Sequence, residues 1–363
     1  MLVSAVIGLP MVGKTTFFNL VTGSRQETSN YLTGKTDTNT AMASVPDPRV
    51  DFLSGLYKPR KTTCARIQFS DVPGLVRGAS EGKGVGNRFL DGIRNADLLV
   101  HVVRAFSNPD VPHVDGSVDP VRDLETIHLE LLLADIDLVE KRIMRIEEGK
   151  KIKKEQAEEL AVLRNCLAAL ENEVTVHGSE LTEDERALLV NYSFLTDKPV
   201  ILVINIDEDQ LRSGVYPGRE QVRDFAGRKG IMLLEVCGQS EMEISCLPAE
   251  DRKEFMEDLG LAQSGIDRLA RAAYDTLGLL SFFTVGEDEV RAWTIPAGLD
   301  ARSAAGKIHS DLERGFIRAE VVTYADLAET GNMNKVKEKG WARLEGKDYV
   351  VKDGDILNVR FNV

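Results

Sequence analysis

Cysteine is scarce: Cys64, Cys166, Cys237 and Cys246 are the only four in 363 residues, and no two stand in a CxxC pair. That excludes a disulfide scaffold and a thiolate zinc site, and free thiols in a reducing compartment are expected. Five scattered histidines give no metal-ligand cluster. No apolar run nears the ~20 residues of a membrane-spanning helix. No cationic segment precedes the first short apolar stretch, as a signal peptide would need. We therefore expect a cytoplasmic protein with no membrane partner. Positive charge is also in deficit, with 45 Lys and Arg against 58 Asp and Glu, a formal net charge of −13. Such a field repels phosphate, so DNA is not an expected partner, although a local basic contact stays open.

What is present is an ordinary globular composition, 43% apolar and 28% charged, in a chain long enough for two or three domains. Leu2 to Ile7 is a short apolar run ending at Gly8, and Phe17, Phe18, Leu20 and Val21 then give an apolar helical face. Further strands are expected at Ala65–Asp71, Leu98–Val103, Pro199–Ile204 and Ile231–Val236, with helical stretches between. Continuous apolar strands alternating with helices predict a doubly wound α/β domain with ligands at the strand C-termini.

Residues 122–179 interrupt this plan. Leu124, Ile127, Leu131, Ala134 and Leu138 recur at helical spacing, as do Leu160, Leu163, Leu167, Leu170 and Val174. Narrow stripes with charged flanks predict an inserted antiparallel helical hairpin rather than two helices lying on the sheet. From residue 280 the pattern changes to short strands: Phe282–Val285, Val290–Ile295, Ala319–Thr323, Tyr349–Val351 and Ile356–Phe361, with one helix over Arg302–Glu313. Five strands and a helix suggest a ubiquitin-like β-grasp domain. The expected division is a P-loop NTPase domain over 1–121 and 180–279, the hairpin over 122–179, and the β-grasp domain over 280–363.

Gly8-Leu9-Pro10-Met11-Val12-Gly13-Lys14-Thr15-Thr16 reads as a Walker A loop between strand and helix. Backbone N–H groups and a helix N-terminus surround the phosphates, Lys14 reaches the β- and γ-phosphates, and Thr15 is the expected Mg²⁺ ligand. Asp71-Val72-Pro73-Gly74 follows at a strand end. Asp71 is expected to hold Mg²⁺ through water, and the Gly74 N–H to meet the γ-phosphate. Leu75 stands where Ras-type GTPases carry the glutamine that orients the attacking water. Unaided hydrolysis should therefore be slow. The glycines at 78, 82, 84 and 86 suggest a switch that orders on the γ-phosphate.

Asn205-Ile206-Asp207-Glu208 stands where a GTPase carries Asn-Lys-x-Asp. Glu208 is one methylene longer than the guanine-binding aspartate, and Ile206 replaces the lysine. Both changes disfavour guanine. Asn205 could still bond a purine edge, adenine included. The bland alternative for Glu208 is a solvated surface acid. ATP is the expected substrate, ahead of GTP.

These elements, in this order, resemble the YchF-type Obg-like ATPases. The likeness spans essentially the whole chain and rests also on Val45-Pro46-Asp47-Pro48-Arg49, Gly74-Leu75-Val76-Arg77-Gly78-Ala79-Ser80, Val290-Arg291-Ala292-Trp293-Thr294-Ile295-Pro296, Gly315-Phe316-Ile317-Arg318-Ala319 and Lys352-Asp353-Gly354-Asp355. The resemblance implies a G domain, an inserted coiled coil, a C-terminal TGS domain, ATP preference through the Asn-x-x-Glu element, and ribosome association. It also aligns His101 with a histidine proposed to assist hydrolysis; from its apolar strand alone, His101 reads as a packed core residue. Several positions depart from the family. Met11 replaces an asparagine able to offer oxygen to K⁺, a role a thioether fills poorly. Lys35 falls at the customary switch threonine, among Thr33, Thr36, Thr38 and Thr40. Cys237-Gly238-Gln239 replaces Ser-Ala-Lys.

Lys141, Arg142, Arg145, Lys150, Lys151, Lys153 and Lys154 crowd the hairpin tip, partly offset by Glu147, Glu148 and Glu155. Either a solvated helix end or a contact to ribosomal RNA would explain them. The sequence thus supports a slow Mg²⁺-dependent ATPase switch, with catalytic expectations on Lys14, Gly74 and His101. A nucleotide-gated ribosome- or RNA-binding protein with negligible hydrolysis, or a GTPase, are the alternatives.

Overall fold

The computed structural model describes residues 2–24, 39–75, 85–149 and 152–362. Lys35, Thr33, Thr36, Thr38, Lys150, Lys151 and the glycines at 78, 82 and 84 lie outside them. Two compact units emerge, Met1–Met42 with Gln68–Leu269, and Ala43–Ile67 with Ala270–Val363.

The first sheet runs through β1 (Val3–Ile7), β2 (Asn39–Ser44), β4 (Arg66–Asp71), β5 (Leu98–Arg104), β6 (Val200–Asn205) and β7 (Met232–Val236) in the order β2-β4-β1-β5-β6-β7. The pairs β1–β4, β1–β5, β5–β6 and β6–β7 are all parallel. Every residue of β5 is buried, as its continuous apolar run predicts. Helices α1 (Lys14–Thr22), α3 (Val85–Arg94), α6 (Glu183–Leu189), α7 (Glu208–Ser213) and α8 (Arg219–Lys229) are interleaved with these strands; α9 (Gly238–Cys246), α10 (Ala249–Asp258) and α11 (Gly265–Thr276) follow β7. This is the expected doubly wound domain. The C-terminal ends of β1, β4, β6 and β7 lead directly into the motif residues.

The hairpin is α4 (Pro120–Glu147) and α5 (Lys154–Glu171). Asp119 caps α4 by accepting from Arg122 N, and Pro120 occupies the first turn, where its missing N–H costs nothing. Leu132, Val139 and Ile146 meet Leu160, Leu163, Cys166 and Leu170 in one cluster. Leu124, by contrast, packs with Val103 and Leu202 of the sheet. The stripe read from the sequence therefore divides: the first turns of α4 serve the sheet, and the later turns serve the seam. The fully buried Asp135 accepts from Leu195 N at 3.0 Å and Thr196 N at 2.8 Å, tying α4 to the segment that leads into β6.

The second sheet has the order β11-β10-β12-β8-β9-β3, from β3 (Lys61–Thr63), β8 (Leu279–Thr284), β9 (Glu289–Pro296), β10 (Phe316–Thr323), β11 (Arg343–Glu345) and β12 (Asp355–Phe361). Phe282, Ile295, Ala301, Ala304, Val321 and Leu357 form its core. Trp293 packs there, stacked on Phe282 at 6.3 Å. Three details differ from the sequence reading. β3 and α2 (Pro48–Tyr57) come from residues assigned above to the NTPase domain. The expected helix over 302–313 breaks at His309 into α12 (Ala301–Ile308) and α13 (Ser310–Arg314), and α14 (Tyr324–Thr330) and α15 (Met333–Glu338) are added. Tyr349–Val351 contributes only an isolated bridge, Asp300 to Val350.

Candidate nucleotide site

The loop after β1 depends on glycine at two points. At Gly8, with φ 149°, a Cβ would lie 2.4 Å from Val102 O; at Gly13, with φ 98°, it would lie 2.6 Å from Asn205 Nδ2. Met11 also adopts a left-handed backbone, φ 64°, although it carries a side chain. The turn aims successive N–H groups inward and ends at Lys14, the first residue of α1, an arrangement suited to anions. Leu9, Val12 and Lys14 are buried; Pro10, Met11, Thr15 and Thr16 are half-buried.

Lys14 Nζ donates to Leu9 O at 2.7 Å. Burial pushes its pKa down to about 8, partly offset by Asp71. Thr15 Oγ1 donates to Asp71 Oδ2 at 2.9 Å, so P-loop hydroxyl and strand-end carboxylate converge. Two hard oxygen donors in contact suit Mg²⁺. The backbone of Gly74 presses on the loop: a Cβ there would lie 3.0 Å from Pro10 N and 3.1 Å from Lys14 Nζ. Leu75 is fully buried, and its N–H donates to Gly8 O at 3.1 Å. The structure thus brings Gly8, Leu9, Pro10, Lys14, Thr15, Asp71 and Gly74 together.

Asn205 fastens three segments. Its Nδ2 donates to Val12 O at 2.9 Å and its Oδ1 accepts from Gly238 N at 3.1 Å. One proton and one lone pair of the amide remain for a ligand. Ile206 turns into the core beside Ala105, Tyr216 and Cys237. Asp207 caps α7, and Glu208 at its first turn is exposed and paired with Arg212 at 3.0 Å, which also binds Asp258. Glu208 thus faces solvent here, held by Arg212. Cys237 Sγ accepts from Ser240 N and caps α9.

His101 sits on β5, next to the β1 strand that leads into the loop. Paired between Ile7 and Leu202 on the central strand, it is buried, and its Nε2 has no hydrogen-bond partner. Desolvation first, then the charges of His128 and Lys14, lower its pKa to about 3. It is a neutral imidazole and a poor proton acceptor near neutrality.

Phe106 and Arg104 went unread in the sequence. Arg104, opposite Asn205 in register, is buried, donates to Phe106 O at 3.1 Å and stacks 4.3 Å from the Phe106 ring. The N–H groups of Ala105 and Phe106 both donate to Asn205 O. Phe106 is half-buried, and its backbone is thereby tied to that of Asn205. An aromatic just past a predicted strand end was the available signal.

Fold and loop together define a P-loop nucleoside triphosphate-binding protein of the doubly wound, GTPase-like class with a second α/β unit. A family model described as 50S ribosome-binding GTPase matches residues 3–134, and the YchF-GTPase_C model, described as a protein of unknown function, matches residues 279–362. The chain is 45% identical over 366 residues to a Bacillus subtilis (strain 168) protein named Ribosome-binding ATPase YchF, covering 100% of both chains. It is 44% identical over 361 residues to the Escherichia coli O157:H7 protein of that name, covering 99% of this chain and 98% of the relative. The solved structure of the Schizosaccharomyces pombe YchF GTPase superposes with a TM-score of 0.87 at 32% identity, over 99% of this chain and 97% of that one. The chain belongs to the YchF family.

Proposed function

We propose that this protein is a slow, ribosome-associated ATPase that works as a molecular switch. The observation that carries the reading is the convergence of Lys14, the Thr15–Asp71 pair and the Gly74 backbone on one P-loop. In the proposed cycle the triphosphate takes Lys14 Nζ away from Leu9 O. The N–H groups of residues 9–15 and the Lys14 ammonium stabilise the charge that develops on the γ-phosphate. Thr15 Oγ1 would bind Mg²⁺ directly and Asp71 through water, and the ion, when bound, neutralises phosphate charge. Gly74 N–H would donate to the γ-phosphate. Because Leu75 is tied to Gly8 O, γ-phosphate contact at Gly74 is coupled to the start of the P-loop.

ATP is favoured over GTP because the guanine-reading carboxylate is missing from its place. Glu208 faces solvent, engaged by Arg212, and Ile206 is buried in the core. The spare bonding capacity of Asn205 and the ring of Phe106 suit an adenine edge and face. Relatives are named both ATPase and GTPase, so competition of ATP against GTP for the site is a direct test; a marked GTP preference would refute the base assignment. Leu75 supports a second reading, a nucleotide-gated ribosome-binding protein with negligible hydrolysis. Phosphate release measured with and without ribosomes separates the two, and no release in either case removes the enzyme. His101 is proposed as a packing residue rather than the general base.

A further inference from the structure

The chain's charge is divided unevenly. The unit Met1–Met42 with Gln68–Leu269 has 27 Lys and Arg against 41 Asp and Glu, whereas Ala43–Ile67 with Ala270–Val363 has 18 against 17. The deficit therefore belongs to the nucleotide-binding unit, and a polyanion meets far less repulsion at the other one. There Arg318 on β10 and Arg360 on β12 are direct cross-strand partners. Directly opposite residues of an antiparallel pair project from the same face, with Cβ atoms about 5 Å apart, and like charges so placed destabilise the sheet.

No direct partner among the described residues neutralises this pair. Both arginines are exposed, and neither has an ion-pair, hydrogen-bond or ring partner among the described residues. Neighbouring cations are neutralised: Arg314 by Asp311 at 2.6 Å and Arg343 by Glu345 at 3.1 Å. Glu320, the next residue on the Arg318 side of the sheet, is held by Lys337 at 3.1 Å and faces Asn358 across the ladder. Leu344, opposite Glu320 in register, is 52% exposed and adds no charge to the face.

We propose that Arg318 and Arg360 clasp backbone phosphate of RNA. Two guanidinium forks on one exposed sheet face match phosphate oxygens, and an anion between them turns mutual repulsion into attraction. The proposal rests on the ribosome-associated reading for the source of the RNA.

The test uses the full chain, a fluorescein-labelled single-stranded 20-nucleotide RNA, and pelleting with purified ribosomes. Wild type is compared with Arg318→Ala/Arg360→Ala and with Arg318→Lys/Arg360→Lys. The Ala pair should weaken RNA binding by about tenfold and lower the slope of log affinity against log salt by roughly 0.7–1.4. The Lys pair should keep the slope and lose part of the affinity. Melting temperature of the Ala pair should equal or exceed that of wild type, and ATP affinity should be unchanged, which rules out misfolding. Affinity within twofold and an unaltered slope would overturn the clasp, as would wild type that fails to bind the oligomer. Lost ribosome pelleting with unchanged RNA affinity would also overturn it, assigning the face to an acidic protein surface. Arginine-dependent RNA binding without ribosome pelleting would support the clasp while removing the ribosome reading.

Discussion

Lys14 is buried, bonded to a loop carbonyl and set near pKa 8 before any phosphate arrives. Triphosphate anions raise that pKa, so the protonated form is the one that binds. ATP affinity should be level below about pH 8 and fall as pH rises above it, by up to about tenfold per unit. Titration calorimetry in two buffers of different ionisation heat should show proton uptake at pH 8.5; none would contradict the assignment. His101 bears on stability rather than on ligand affinity. Its folded pKa, about 3, lies below the ordinary value, so its contribution is full above pH 6.5 and is lost as pH falls toward 3. His101→Leu should flatten the loss of melting temperature between pH 6.5 and 4 while leaving turnover within about threefold of wild type. A hundredfold fall in turnover would restore His101 to catalysis. Met11, at φ 64°, holds a conformation that asparagine adopts at less cost. Met11→Asn should stabilise the chain by about 0.5–1 kcal/mol in urea unfolding. The phosphate residues were legible in the sequence because a glycine-spaced motif encodes backbone geometry. The left-handed Met11 was not, because its backbone is set by the loop around it; the burial of His101 was, because its strand is apolar on both sides.

Most elements were legible through their period. The strands β1, β5 and β6 announce themselves as apolar runs, and the hairpin as two stripes. β3 and β11 have three residues each and largely exposed faces, so no alternation could reveal them. His309 breaks the expected single helix because its extended backbone starts a second cap, its Nδ1 accepting from Asp311 N. Leu124 and Leu138 show why one stripe can mislead: a 28-residue helix turns different faces to different neighbours along its length. Asp135 is the joint in this element. Asp135→Ala should cost about 2–4 kcal/mol, since two buried N–H groups lose their acceptor. Denaturant midpoints report it, and a change below about 0.5 kcal/mol would show that water replaces the carboxylate.

At the scale of the molecule, the second unit is built from two stretches of chain far apart in sequence. Thr63 donates to Glu289 across 226 residues, and Arg49 bonds Asp353 across 304. Val50 and Leu53 are fully buried within that unit, and Phe52 meets Tyr324 edge to face. Sequence reading placed the boundary at residue 280 because composition changes there; a detour of about 25 residues has no compositional mark. A fragment of residues 1–279 should therefore expose the apolar side of α2, bind a hydrophobic dye and self-associate, whereas the full chain should not. A monomeric fragment on sizing columns would contradict that. The same discontinuity bears on synthesis: at about 5–20 residues per second, α2 emerges roughly 10–45 s before the strands that bury it. For that interval the nascent protein carries an uncovered greasy segment in its first hundred residues, which is a natural point for a chaperone to intervene.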